Sequence, residues 1–310
     1  MFQIIFPYIA LLIAQVGLNG KQFSMKKCGA IAPGPFNSIC INTMRSAICI
    51  LVSLIIWLIA DGKATTPFGH LIIVISAIGT AINLFTWILS SRLISLTLLE
   101  SLMILGKLIV PLILAPFMFG EAPVTAIQWV ACGLIVVAVI LFIDFGSSQK
   151  KDGSLIKKIL LVGVCVISLT VSVVFKKYYV VKIQSQSLGS VEYFTFINFA
   201  VVILTFVILF PIYYHKESIK IKAEGIASKP ELPYKKVWFF ILIAAASLYL
   251  NELFTVYANE LPAAIYSPLS NGLNIACTFL LDVIVFKDKV TVKKIIGVVV
   301  VIAAIVLLNF

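Results

Sequence analysis

PVTAIQWVACGLIVVAVILFID, running from Pro123 to Asp144, carries one charged residue, at its very end. It is too long for a strand of a membrane barrel, which needs only ~10 residues of alternating character. It matches the ~20 residues that cross a ~30 Å hydrocarbon core as a helix. Backbone N–H and C=O groups in lipid must pair within their own segment, so such a run becomes an α-helix. Working outward, the pattern recurs along the whole chain. The spans read as 3–23, 36–59, 68–90, 95–118, 123–144, 155–176, 190–213, 236–258, 262–285 and 292–309.

Composition agrees with that reading. Of the 310 residues, 61% are hydrophobic and 12% charged, and the mean hydropathy is +1.12. A soluble domain of this length cannot hide so much apolar surface, so membrane lipid is part of its solvent. The net charge of +11 raises nucleic acid as a partner. The lysines, however, sit in short clusters between apolar runs, which is the topology signal of membrane loops. No nucleic-acid role is expected. The six cysteines show no CxxC spacing, and most lie inside apolar spans. They read as small core residues, with neither zinc nor a disulfide framework implied. Met1-Phe2-Gln3 lacks the basic region of a signal peptide, so the first span is expected to be retained.

The polar break at 147–153 separates an expected first unit, 1–146, from a second, 154–310. A lysine-rich stretch at about 215–236, with Pro230 and Pro233, reads as a mobile loop between spans seven and eight. The two units echo each other. Leu84-Phe85-Thr86 in span three answers Leu253-Phe254-Thr255 in span eight, and Phe119-Gly120-Glu121 answers Phe286-Lys287-Asp288. A duplication with five spans per copy sets the copies in opposite orientations. The expected fold is therefore an all-α integral membrane protein of ten transmembrane helices, arranged as two inverted five-helix repeats. Such repeats belong to alternating-access carriers, whose substrate sits near the midplane between the copies.

An ionised side chain near the bilayer centre costs about 2.5–3.5 kcal/mol even on permissive scales, so it should face a wet cavity or a partner. The candidates are Arg45 in span two, Glu100 and Lys107 in span four, Glu192 opening span seven and Glu252 in span eight. Glu100 and Lys107 are seven residues apart, on one helical face about 10 Å apart along the axis. That is too far for a direct pair but suits two groups lining one cavity. Pro111, one turn beyond Lys107, should loosen the helix there. Span nine carries Ser267, Asn271, Asn274 and Thr278 as a polar stripe. Span eight adds Glu252, Thr255 and Asn259, and span three adds Thr80, Asn83 and Trp87. The expected substrate-binding set is Lys107, Glu100, Asn271, Asn274, Glu252, Asn83 and Trp87.

Blander readings stand beside these. Arg45 suits snorkelling to an interface as well as a site. Glu121 and Asp288, at span ends, suit structural or gating roles. Glu192 suits a solvated acid at a helix N-terminus. The span-nine stripe suits helix–helix glue equally well. Trp57, Trp129 and Trp238 suit interfacial anchors. Lys107 needs a partner, either an acid from another span such as Glu252 or an acidic group on the substrate.

Over nearly its whole length the chain resembles the EamA-type branch of the ten-helix drug/metabolite transporter superfamily. The resemblance rests on Pro35-Phe36 followed by Arg45, and on Phe119-Gly120-Glu121 with Gln128-Trp129 and Gly133. It rests also on Leu261-Pro262-Ala263-Ala264 with Phe286-Lys287-Asp288 and Gly297. The second half has no arginine matching Arg45. The resemblance implies the ten-helix fold and transport, and marks Arg45 as a feature of the fold. It also implies termini in the cytoplasm. The charge rule says otherwise: odd-numbered loops hold about 18 Lys and Arg and even-numbered loops about four, which places both termini outside.

No nucleophile–base pair, metal spacing or GxxxxGK[ST] motif is present, so neither an enzyme nor an ATP-driven pump is expected and no cofactor is implied. The expected function is secondary transport of a small amphipathic or zwitterionic metabolite, such as an amino acid. It would be driven by exchange or by a proton or sodium gradient, in a bacterial plasma membrane. Rivals are a nucleotide-sugar-type carrier, for which Lys107 would meet an anion, and a non-transporting membrane sensor or scaffold.

Overall fold

A computed structural model of the chain describes residues 2–32, 34–93, 96–142, 155–223, 232–284 and 291–307. The described residues form ten α-helices and no strand. They are α1 (Phe2–Ile31), α2 (Pro35–Ile59), α3 (Pro67–Leu93), α4 (Leu96–Leu114) and α5 (Ala126–Phe142), then α6 (Leu155–Lys182), α7 (Val191–Ala223), α8 (Tyr234–Ala258), α9 (Ala263–Ile284) and α10 (Val292–Leu307). Six carry segments long and apolar enough to cross a membrane, and α5 and α10 contain shorter apolar segments. α1 and α9 are more polar because Gln15, Asn19, Ser267, Asn271 and Asn274 point inward and are buried.

The distribution of polarity is that of a protein dissolved in lipid. Phe117, Ile59, Val16 and many other large apolar side chains face outward. Arg45, Lys176, Lys177 and Glu252 are buried instead. Ionic groups inside an apolar exterior are the expected arrangement where hydrocarbon is the surrounding medium. The chain is a multi-pass integral membrane protein.

Helix packing follows a pattern. α1 lies along α8 and α3 along α6, while α2 meets α7, α4 meets α9 and α5 meets α10. Replacing each helix by the one five places away turns this set of neighbours into itself. α1·α8 becomes α6·α3, α3·α7 becomes α8·α2, and α4·α6 becomes α9·α1. The two longest crossings even share a device. A Cβ on Gly17 of α1 would stand 2.7 Å from the carbonyl oxygen of Ser247 and from the backbone N of Asn251 on α8. One on Gly79 of α3 would stand 2.8 Å from the oxygen of Ser168 and 3.1 Å from the N of Ser172 on α6. In each case a glycine lies across a carbonyl and the N–H four residues on, so the backbones touch.

Several helices outrun their expected lengths. α7 continues to Ala223, through Pro211 and the first part of the stretch read as a mobile loop. Ser218 donates to the carbonyl of Tyr214 and Lys216 lies over the Tyr213 ring, so this charged end is helical and self-supporting. α6 runs six residues past its expected end to Lys182. α4 ends in a π-helical turn, Ala115–Phe119, just after Pro111, and Gly120 closes it at φ 69°, a left-handed conformation that suits glycine. The break at 147–153 lies outside the described residues.

The turns also sort into ends. The N–H of Ser190 donates to the carbonyl of Lys63, Gln184 donates to Glu260, and Glu121 accepts from the N–H of Ala263. The α2–α3, α4–α5, α6–α7 and α8–α9 connections therefore meet at one end of the bundle. Trp57, read as a membrane anchor, belongs to this end as a clamp. Its Nε1 donates to the Gly62 carbonyl at 2.6 Å, and its ring stacks on Phe196.

Candidate functional site

A cavity of about 120 Å³ opens between α1, α2, α3, α4, α6, α8 and α9. Helical spacing decides what reaches it. Thr80, Asn83 and Trp87 of α3 stand three and four residues apart and all line it. Asn251, Glu252 and Thr255 arrive from α8, Asn42 and Arg45 from α2, and Lys107 from α4. α6 adds Ser172 and Lys176, and α9 adds Tyr266 and Ser270. Both five-helix units thus build one polar chamber.

Its lining is tied down across helices. Thr80 and Ser172 share a hydroxyl contact of 2.7 Å, and Asn83 donates to the Cys165 carbonyl at 3.0 Å. Asn251 donates to the Ala14 carbonyl at 2.9 Å, and Gln15 to the Ser270 hydroxyl at 2.9 Å. The main ion pair is Lys176 with Glu252, the lysine Nζ donating to Oε2, with both side chains nearly enclosed. Glu252, the acid named as an example of a partner for Lys107, pairs with Lys176 of α6. Arg45 is 1% exposed; it donates from Nη2 to Asn42 Oδ1 at 2.5 Å. Its buried Nε meets no acceptor among the described residues.

Of the expected set, Lys107, Glu252, Asn83 and Trp87 converge on this cavity, and Arg45, which the resemblance marks as a feature of the fold, joins them. Asn271 and Asn274 are buried outside its lining. Asn271 donates to the Ser267 carbonyl, while Asn274 takes the Thr278 hydroxyl, which also reaches Asn19 of α1. The stripe stitches α9 to itself and to α1. Glu100 lies on α4 with its side chain outside the described residues, and Asp288 is outside them altogether. Glu192 sits in the first turn of α7 and accepts the Tyr257 hydroxyl across to α8.

A second buried cluster closes the end where the turns meet. Lys177 Nζ lies 2.9 Å from Glu121 Oε1 and donates to the carbonyl oxygens of Asn259, at 2.7 Å, and Leu261. Glu121 Oε2 accepts from the N–H of Ala263 at 2.6 Å. One ion pair thus joins the end of α4, the body of α6 and the α8–α9 corner. Sequence reading missed both Lys176 and Lys177, because the doubled lysine after an apolar run looked like a membrane boundary. Tyr178-Tyr179-Val180-Val181, apolar and immediately following, was the signal that the span continues.

Comparison with known proteins places this architecture. Residues 155–310, half of the chain, match the EamA-like transporter family. The chain belongs to that family. The matched stretch begins with α6 and takes in α6 to α10. A solved crystal structure superposes on this EamA-like transporter with a TM-score of 0.70, covering 97% of this chain and 98% of its own at 12% identity. At that identity the likeness concerns the fold alone. A search of curated proteins finds no match.

Proposed function

We propose that this EamA-like protein is a secondary transporter working by alternating access between two inverted five-helix repeats. The observation that carries the reading is the polar, ion-lined cavity built jointly by both units inside a lipid-facing bundle. A scaffold has no use for buried ions at a shared chamber, since each costs desolvation. The inverted relation is supported by the helix neighbours that exchange into themselves, and by the reversal that an odd number of crossings imposes.

The substrate we propose is a small metabolite with charged groups, an amino acid being the type. Acid, base, amide and aromatic side chains all reach the cavity, as an amphipathic or zwitterionic solute requires. Size favours it over a nucleotide sugar: about 120 Å³ is below the roughly 300–1,000 Å³ of pockets for drug-sized ligands. The Glu121–Lys177 cluster serves as the latch that closes one end of the pathway. Glu252 is the site where a coupling proton would bind once Lys176 is drawn away. Counterflow into proteoliposomes of the purified protein tests the proposal, with radiolabelled amino acids scored against a Lys107→Met variant. Accumulation that the variant abolishes is expected; equal flux in empty liposomes sinks the reading.

A further inference from the structure

Away from the central cavity, the bundle carries a depression on its outer face. α2 packs along both α7 and α8, while α7 and α8 meet each other far less. A groove of about 580 Å³ lies between them. Cys40, Thr43 and Met44 of α2 line it on one side, Phe210 of α7 and Leu232 and Tyr234 at the start of α8 on the others. Phe210 and Tyr234 are exposed on the lipid-facing surface. The helix ends give its depth. Cys40 to Met44 stand five to nine residues inside the start of α2 at Pro35, about 8–14 Å along the axis. The Phe36 ring packs on Phe210 and Tyr214, at 5.8 and 5.9 Å between centroids. Tyr214, Tyr234 and Trp238 gather near this level, as aromatic side chains do where hydrocarbon gives way to headgroups.

Beyond that level the surface turns basic. α7 continues to Ala223 with Lys216, Lys220 and Lys222 exposed, and α8 opens with Lys235 and Lys236 exposed. α1 brings Lys26 and Lys27 to the same end, because Met25 and Cys28 share a core cluster with Val237 and Ile241 of α8. Counting every residue of the sequence over 24–34 and 215–236, eight lysines face three acids, Glu217, Glu224 and Glu231. A surplus of five positive charges therefore stands with every acid included.

The geometry points to a bound anionic phospholipid, with an acyl chain in the groove and its phosphate among the lysines at the rim. A depression that faces hydrocarbon forfeits dispersion contacts unless a chain lies in it. A basic surface at headgroup depth draws in anionic lipid, and lysine stems can snorkel to a phosphate from their anchor points. Lys235 and Lys236 directly follow Tyr234, whose hydroxyl is a donor suited to a phosphate oxygen. Glu217 is two turns above Phe210 on the same face of α7, so the ammonium of phosphatidylethanolamine is the rival fit. The groove also touches the transport pathway from behind. Met44 and Leu232 belong to the cluster that holds Met25 and Trp87, both of which line the central cavity. A lipid in the groove braces that shared wall, so its binding should register as global stability.

The test titrates the purified full-length protein, in dodecyl maltoside micelles, with dioleoyl phosphatidylglycerol, phosphatidylethanolamine or phosphatidylcholine. Melting temperature is read together with the number of lipids retained in native mass spectrometry. Phosphatidylglycerol is expected to raise the melting temperature most and to saturate at one tightly held lipid per chain. Lys235→Gln combined with Lys236→Gln should weaken that binding about tenfold or more, each lysine near an anionic surface accounting for about fivefold. Thr43→Trp, which fills the groove and keeps every lysine, should abolish the saturable lipid and its stabilisation. Cys40→Phe fills the same groove one turn earlier and is read in the same way if Thr43→Trp does not fold. Equal stabilisation by phosphatidylcholine overturns the inference, as does a preference for phosphatidylethanolamine. Binding of phosphatidylglycerol that survives both filling variants leaves only a diffuse basic surface and overturns the groove. Equal stabilisation by sn-glycerol 3-phosphate shows that no acyl chain is needed, and overturns it too. So does a loss of lipid-free stability in both filling variants with no response to lipid, which marks the groove as filled by the protein's own chain. None of these outcomes bears on the transport reading.

Discussion

Lys176 and Glu252 meet as an ion pair inside the bundle, both side chains nearly enclosed. Their pairing makes a prediction of unusual sign. Removing one member of a buried pair leaves an uncompensated charge and costs about 3–5 kcal/mol, whereas replacing both by apolar or neutral groups is often neutral. Glu252→Gln should therefore lower the melting temperature in detergent, and adding Lys176→Met to it should restore most of the loss. A double variant that melts no higher than Glu252→Gln would show that the pair contributes nothing together. At this scale the sequence was half legible. Charged residues at mid-span announced themselves, which is why Lys107 and Glu252 were expected in a cavity. Partner choice was not legible, because it depends on helix contacts distant in the chain: α6 and α8 bring Lys176 and Glu252 together across 76 positions. The apolar run alone also could not show that a helix keeps two lysines inside the membrane.

Helices are where the sequence spoke most plainly. Ten apolar runs gave ten helices, and the errors lay at their ends, where a charged residue was read as a boundary although the helix continues. The crossings left a weaker trace. Gly17 and Gly79 look like any other glycine in sequence, yet each sets the distance of its helix from a partner backbone. Gly17→Ala and Gly79→Ala should each destabilise by about 1–3 kcal/mol, the range for overpacking, because backbone atoms cannot swing aside as side-chain tips do. Gly133→Ala is the control: nothing stands within 4 Å of its Cβ position. It should be neutral or raise stability by up to about 1 kcal/mol through helix propensity. Thermal melts of the three variants decide the matter, and equal destabilisation by all would remove the close-approach explanation. The latch belongs to this scale too, since it joins α4, α6 and the α8–α9 corner. Lys177→Met should loosen that end, so a thiol reagent applied from that side reacts faster with a cysteine placed at Thr80 on the cavity wall. Glu121→Gln, which keeps an oxygen for the Ala263 N–H, should show a smaller effect.

For the whole molecule, the exchange of neighbours between units implies a definite topology. Connections α2–α3 and α8–α9 meet at one end, and the charged tail of α7 with the start of α8 lies towards the other. Cysteines introduced at Asp61 and Glu260 should label from one side of the membrane, and those at Glu217 and Tyr234 from the opposite side. The charge rule adds that the lysine-bearing side is cytoplasmic. Labelling of all four from one side would refute the inverted arrangement. The trace that we propose marks a duplication, Leu84-Phe85-Thr86 and Leu253-Phe254-Thr255, was visible in the sequence. The closing ion pair was not, because Lys177 and Glu121 are brought together only by the packing of α4 against α6.

The Glu121–Lys177 pair grips the α8–α9 corner by its main chain: the oxygens of Asn259 and Leu261 and the N–H of Ala263. Every residue supplies that oxygen, and every residue but proline that N–H, whatever its side chain. Substitutions that keep the corner's path therefore leave these contacts in place. Lys177 and Glu121 have no such freedom, because their side chains make the contacts. The corner's side chains could all change while this one ion pair kept its hold on the main chain.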